Sequence, residues 1–324
     1  MTVTLGIVGL GNWGHRLADA VQHVDDAALV SCFARTESSR MAFGEAHGIA
    51  AAGSISELAE SVDGVLVATP HSTHVDVVLE LAALGVAIMV EKPLALSVVD
   101  AERCTEAAQR NDVILQVAHY RRRAPGTRQL RSLIDDGSLG SVHLLEGHFS
   151  RVMSPDPARP WRENPGEAPA GAMTALGVHM VDNLLYLADD VPIRLTAFST
   201  KVGRSSPLDD ITTMQMEFPS GAIGVLTTSL RLPKRIMCAA HGSEMIGWSE
   251  ADGARCFTLR DGEDSRTELP LTPLDPMVDN VAHFVDCVRT RTQPETGGAE
   301  GTAVVRILEA VTKSAANNGA AVEL

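Results

Sequence analysis

Thr4-Leu5-Gly6-Ile7-Val8 runs without a break into Gly9-Leu10-Gly11-Asn12-Trp13-Gly14, and this junction decides the fold. The first stretch is a short aliphatic run of strand length. The second carries glycine at its first, third and sixth places. A G-x-G-x-x-G turn that follows a strand and opens a helix is the signature of a dinucleotide site. Gly9 permits the tight turn, Gly11 lets the backbone approach a pyrophosphate, and Gly14 lets helix and strand pack closely. The amides and positive dipole end of the helix that begins near Asn12 and Trp13 would face the phosphates.

Outward from this junction, strand candidates at 4–8, 28–34, 64–68, 86–90 and 113–117 alternate with helix-like segments. That alternation builds a doubly wound α/β domain of parallel strands and crossover helices. Ser54 with Glu57, and Ser97 with Asp100, read as helix caps that satisfy free amides. After His119 and Tyr120 the texture changes. A basic segment from Arg121 to Asp135 predicts a helix that stops at Gly137, a residue suited to a left-handed cap. Residues 142–151 predict a strand, 171–188 a helix, and 192–260 successive strands divided by Gly, Pro and Asp turns. The second half therefore reads as α+β, with an open, mainly antiparallel sheet covered by helices on one face. Ser154 to Gly171 is a proline-rich loop of a length that compact domains keep for function. A closing helix over 301–317 and a short end strand finish the chain. The expected domains are 1–121 for dinucleotide binding and 122–324 for substrate binding and oligomerisation, with the last helix able to pack back on the first domain.

Composition narrows the function. With 324 residues, 45% hydrophobic and 21% charged, the chain has the makeup of an ordinary globular protein large enough for two domains. Its formal charge of -14 repels phosphate backbones and anionic membrane surfaces, so neither nucleic acid nor membrane is an expected partner. No apolar run reaches the roughly 20 residues that span a bilayer, and no export signal opens the chain. Cys32, Cys104, Cys238, Cys256 and Cys287 are scattered and never in a CxxC spacing, which fits core thiols in a reducing cytoplasm.

The apolar run Val86-Ala87-Ile88-Met89-Val90 delivers Lys92, within Glu91-Lys92-Pro93, to the end of a strand. Ligands of open α/β sheets bind at the carboxyl ends of strands, where a lysine can hydrogen-bond a substrate oxygen. A plain surface lysine is the alternative. Where the second strand ends, the acidic residue that usually holds the adenine ribose is replaced by Phe33-Ala34-Arg35-Thr36. Arg35, helped by Thr36 and Arg40, suits a 2'-phosphate and slightly favours NADP over NAD. Glu37 keeps NAD open, and Arg35 facing solvent or stacking on adenine is the other reading. Ala68-Thr69-Pro70-His71-Ser72-Thr73-His74 follows the strand at 64–68, so its backbone should line the same cleft, with Thr69, Pro70, His71 and His74 as candidate cofactor contacts; for His71 and His74 a structural role is the other reading, ahead of catalysis. No metal is expected, because His71 and His74 have no third ligand near them in sequence.

The glycine turn, the ATPHSTH turn, VEKPLALS and GVHMVD come in an order that resembles the glucose-fructose oxidoreductase / inositol dehydrogenase / MocA (Gfo/Idh/MocA) family across the whole chain. The resemblance implies a Rossmann domain followed by the open-sheet domain, and hydride transfer to or from a secondary alcohol or ketone on sugars, cyclitols and related cyclic diols. It makes Lys92 the active-site lysine, Pro93 a proline that often takes a cis bond, and His179 the general acid/base, since an imidazole titrates near neutral pH. One turn before His179 the family commonly has an aspartate, and here stands Ala175. Either Thr174, Tyr120 or Arg162 supplies the missing polar contact or the substrate lacks a hydroxyl there, and Trp161 can stack on a ring or anchor the loop. Asp182 matches another recurring position and shares the face of His179. Solvated helix-start charge is the expected state of Arg121-Arg122-Arg123, with attraction of an acidic substrate as the other reading. The leading expectation is an NAD(P)-dependent dehydrogenase or reductase that forms a homodimer or homotetramer through its second sheet. A cofactor-binding sensor that has lost catalysis is the rival, and a reductase of a conjugated or imine-like bond is a third reading.

Overall fold

Five of the six residues of the first strand, β1 (Val3–Val8), are buried, as expected for a parallel strand covered on both faces by helices. After it come α1 (Asn12–Val21), β2 (Ala27–Phe33), α2 (Glu37–His47), β3 (Ala50–Ala51), α3 (Ile55–Ala59), β4 (Gly64–Val67), α4 (His74–Ala83), β5 (Ala87–Val90), α5 (Val98–Arg110) and β6 (Leu115–Val117). The chain continues through α6 (Pro125–Asp135), β7 (Val142–Ser150), α7 (Val178–Ala188), β8 (Arg194–Thr200), β9 (Ile211–Glu217), β10 (Ile223–Ser229), β11 (Arg235–Gly242), β12 (Met245–Glu250), β13 (Arg255–Arg260) and β14 (Thr267–Leu269). It closes with α8 (Pro276–Thr290), α9 (Gly298–Ala316) and β15 (Val322–Glu323). The computed structural model describes residues 2–154, 160–203 and 206–324, without the side chains of Pro160 and Arg162. Contacts divide the chain into two compact units, 1–120 with 277–305, and 121–276 with 306–324.

In the first unit six parallel strands run in the order β3-β2-β1-β4-β5-β6. The order reverses at β1, which places the turn after Val8 at the switch point where such sheets bind ligands. One side of the sheet packs Val65, Val67, Ile88 and Val90 against Leu81 of α4 and Ala101 of α5. The other packs Leu5, Ile7, Leu66 and Met89 against α1 and α8. The Ser54 hydroxyl accepts the Glu57 N–H at 3.0 Å and the Ser97 hydroxyl accepts the Asp100 N–H at 3.2 Å, so both helices start where their caps predict. β3, only two residues long, has no pattern to read.

Residues 277–305, placed in the second half by the sequence reading, have their contacts in the first unit. Val281 and Phe284 of α8 are 0% exposed, each burial contributing roughly 1.5–3 kcal/mol. Gly64 at the start of β4 makes the room: a Cβ there would lie 3.0 Å from the Phe284 ring.

The second unit is built on a nine-stranded sheet, ordered β14-β13-β12-β11-β7-β10-β9-β8-β15. Its pairings are antiparallel except for β7 with β10. α7 covers one face so closely that a Cβ on Gly147 would come within 3.2 Å of Met180. The two faces separate by alternation: Thr212, Met214 and Met216 are buried, while Thr213 and Gln215 are exposed.

Two helix readings change in detail. The helix expected from Arg121 begins at Pro125, after a short 3-10 turn over Tyr120–Arg123. Proline fixes a helical φ but restricts the residue before it, and Ala124 is extended at φ -61, ψ 136. The helix expected from 171 opens with a turn of π-helix over Met173–Gly177 before α7. Such turns are rare and recur at functional sites.

Candidate active site

The three glycines after β1 do different work. Gly9 has φ +96, and a Cβ on it would sit 2.5 Å from the Ala68 carbonyl carbon and 2.6 Å from the Thr69 nitrogen. A Cβ on Gly14 would collide with the Gly9 carbonyl oxygen, whereas one on Gly11 would meet nothing within 4 Å. Gly9 and Gly14 therefore close the turn, and Gly11 keeps its outer side open. α1 starts there with no side-chain cap and no acidic residue in its first turn, leaving amides available to an anion. Asn12 is exposed and Trp13 partly buried; the Trp13 ring lies 6.4 Å from that of Tyr120 and under the Arg16 guanidinium at 4.5 Å.

At the end of β2, Arg35, Thr36 and Glu37 are exposed. Arg40 is tied back, donating to the Ala34 carbonyl at 3.3 Å. Beyond β4, the Thr69 hydroxyl is buried with no hydrogen-bond partner among the described residues, while Pro70 and His71 are partly exposed. Of its two expected roles, structural and cofactor-lining, His74 fits the structural one. It is 0% exposed, with Nδ1 2.8 Å from the Pro93 oxygen and Nε2 3.0 Å from the Thr69 oxygen, so it braces two loops instead of facing a ligand. Lys92 follows β5 and is 8% exposed, its neighbour Glu91 is 7% exposed, and the Lys92–Pro93 bond is cis. The open side of Gly11, the uncapped start of α1 and the Thr69 hydroxyl fit a bound dinucleotide, with β5 delivering Lys92 to the same carboxyl edge of the sheet.

In the second unit His179 lies in the first turn of α7, 4% exposed, with its ring 5.9 Å from that of Phe149. Ala175 is partly exposed on the π turn. Thr174 is 1% exposed and its hydroxyl accepts the Ala170 N–H at 3.1 Å. Trp161 is partly exposed in a 3-10 turn over Pro160–Glu163, and the Arg162 side chain lies outside the described residues.

Two of the three arginines of the run are not solvated charge. Arg122 is buried and donates through Nε to Asp182 Oδ2 at 3.0 Å and through Nη2 to Asp182 Oδ1. Arg121 pairs with Asp252 and lies 4.6 Å over the Phe149 ring. Guanidinium groups suit such sites because they stay charged and bind carboxylates in fork geometry. Sequence reasoning missed the pair because its members stand sixty residues apart; the one available signal was Asp182 on the face of His179.

The N-terminal residues 3–119 match the model of the oxidoreductase family with an NAD-binding Rossmann fold, and residues 127–246 match the GFO/IDH/MocA C-terminal domain. The rhizopine catabolism protein MocA of Rhizobium meliloti is 30% identical over 95% of this chain and 94% of its own length. Inositol 2-dehydrogenase of the same species is 25% identical over 98% of both. A solved inositol dehydrogenase homolog from Azotobacter vinelandii, in complex with NAD+, shares the fold with TM-score 0.91 at 19% identity, covering 100% of this chain and 98% of its own. Glycine cradle, parallel sheet, strand-end lysine and open-sheet unit thus come together in a member of the GFO/IDH/MocA family of NAD-binding oxidoreductases.

Proposed function

We propose that this chain moves a hydride between NAD(P) and the secondary alcohol or ketone of a small sugar, cyclitol or related cyclic diol. The observation that carries the reading is Lys92, buried at the carboxyl end of β5, on the sheet edge that also holds the glycine cradle. Inositol in the name of one relative supports the cyclitol class.

Gly9, Gly11, Asn12, Trp13 and Gly14 hold the pyrophosphate, while Thr69, Pro70, His71, Glu91 and Pro93 line the nicotinamide side. The bound nicotinamide supplies or takes up the hydride. Lys92 hydrogen-bonds the substrate oxygen, and its charge stabilises alkoxide character as the carbinol carbon changes state. His179 receives the oxygen's proton in oxidation and returns it in reduction; its place in GVHMVD supports that role. Tyr120, Trp161 and Arg162 are the proposed substrate contacts. Arg35, exposed at the end of β2, supports a preference for NADP through the 2'-phosphate.

Phe198 at 63% and Ile223 at 38% exposure stand on the uncovered face of the second sheet, in the company of Leu144 and Val225. These apolar side chains, set among Glu146, His148, Thr213 and Gln215 on the same face, support assembly of a homodimer or homotetramer. The five buried free thiols suit a cytoplasmic setting.

A panel of sugars, cyclitols and diols, offered with NAD+ and NADP+ and followed by nicotinamide absorbance, tests the reading. Turnover of one panel member is the expected result. Absence of calorimetric binding by all four nicotinamide nucleotides, oxidised and reduced, would contradict it. Light scattering at micromolar concentration tests assembly, and a monomer would remove the sheet-face contact.

A further inference from the structure

The two ring nitrogens of His74 each face a backbone carbonyl, Pro93 at 2.8 Å and Thr69 at 3.0 Å, at a residue that is 0% exposed. A carbonyl oxygen only accepts, and a neutral imidazole has a single N–H. In either neutral tautomer, one of these contacts sets two lone pairs against each other at hydrogen-bond distance. Both are hydrogen bonds only when both nitrogens carry protons. We infer that His74 is held as an imidazolium at neutral pH, and that in this form it clamps the Lys92–Pro93 turn to the loop after β4 as a positioning residue for Lys92.

Opposing effects decide whether that cation survives burial. Desolvation disfavours it, as does the position of His74 at the start of α4, where the helix dipole is positive. Two charge-assisted hydrogen bonds favour it. The charged groups on the surrounding elements act both ways: the carboxylates of Asp76, in the first turn of α4, and Glu91, in the turn after β5, favour the cation, while the ammonium of Lys92, beside Pro93, opposes it. The His71 ring lies 5.7 Å away, and burial pushes Cys104 on α5 up to about 12 and keeps it neutral. A neutral ring would forfeit a hydrogen bond inside a dry site and gain a repulsive contact, so the geometry of the two carbonyls decides for the cation.

Histidine-selective 15N labelling of the whole chain tests the inference without a substrate. Of the eleven histidines, the one lost in His74→Gln is expected to show two protonated ring nitrogens at about pH 8, where an ordinary histidine, with a pKa of about 6.5, is neutral. A neutral tautomer there would overturn the charge assignment. Positioning is read from 13C-labelled lysine, of which the chain has only Lys92, Lys201, Lys234 and Lys313. His74→Gln should move the Lys92 signal, identified by its loss in Lys92→Met, and leave the other three in place. An unmoved Lys92 signal would overturn the clamp. If His74→Gln does not fold, eleven neutral histidines in the wild-type spectrum still refute the inference, and a doubly protonated one supports it when that signal persists in His241→Gln, which removes the histidine 2.7 Å from Glu146. The clamp's bearing on catalysis rests on the proposed role of Lys92. Full turnover by Lys92→Ala would remove that bearing without touching the protonation result.

Discussion

The glycine cradle after β1 and the segment that carries His179 are ordered by opposite means. The cradle depends on backbone: Gly9 and Gly14 are required because Cβ atoms there would meet main-chain atoms of Ala68, Thr69 and Gly9. The His179 segment leaves a π turn, begins α7 without a side-chain cap, and is fastened by side chains from elsewhere, above all Arg122 on Asp182. Backbone requirements write themselves into a short motif. Tertiary anchors do not, since any buried carboxylate of suitable reach could be met from any other element.

The sharpest way to break this comparison is to substitute within the cradle. Gly9→Ala forces a left-handed φ of +96 and a main-chain clash, so we expect loss of about 2 kcal/mol or more of stability together with loss of nucleotide binding. Gly11→Ala should leave stability within about 0.5 kcal/mol and still weaken nucleotide binding at least about tenfold, an effect of roughly 1.4 kcal/mol. Denaturant unfolding and calorimetry read both, and a Gly11→Ala variant that binds nucleotide as tightly as wild type would mean that Gly11 faces no ligand.

In the His179 segment the corresponding test is the buried pair. Arg122→Met strands the Asp182 carboxylate and is expected to cost roughly 3–5 kcal/mol, whereas Arg122→Met with Asp182→Leu should recover most of it. A single variant within about 1 kcal/mol of wild type in urea unfolding would show that the pair fastens nothing.

Smaller effects sharpen the cofactor assignment. Arg35→Ala should weaken NADP binding by about tenfold and leave NAD within about twofold, if Arg35 meets a 2'-phosphate. Equal losses for both would place Arg35 on the adenine or in solvent.

The smallest expected effect is on pH dependence. Burial, and then Arg235, holds His148 below its ordinary value of 6.5. The unfolded chain therefore takes up this proton first as pH falls through 6.5, and this site's contribution to stability is lost from there until the folded histidine also protonates. His148→Gln removes the effect. The thermal midpoints of the two proteins should differ by a constant amount above that window and converge or cross as pH drops through it. Parallel curves would refute the shift.

Much of the first unit was legible because periodicity and special backbone positions coincide there: five strand runs, the caps Ser54 and Ser97, the glycine turn and the Lys92 turn. The two-residue β3 carries no periodicity. The attachment of α8 depends on Gly64 making room for Phe284, a relation with no local signature. For His74 the sequence left structural and cofactor-lining roles open, because its two carbonyl partners are fixed only by the folded loops. In the second unit, resemblance singled out His179 and Ala175, whose roles are proposals. The π turn, the burial of Thr174 and the Arg122–Asp182 pair were not legible, since each is decided by packing between distant segments.

The central claim is that Lys92 acts on the substrate oxygen from a cofactor-loaded site. Its most direct test is Lys92→Ala, measured for turnover on the first panel substrate found and, by calorimetry, for NADP+ affinity. The account predicts a fall in kcat of at least about a hundredfold with cofactor affinity changed less than about threefold. Undiminished turnover, with nucleotide still bound, would contradict it.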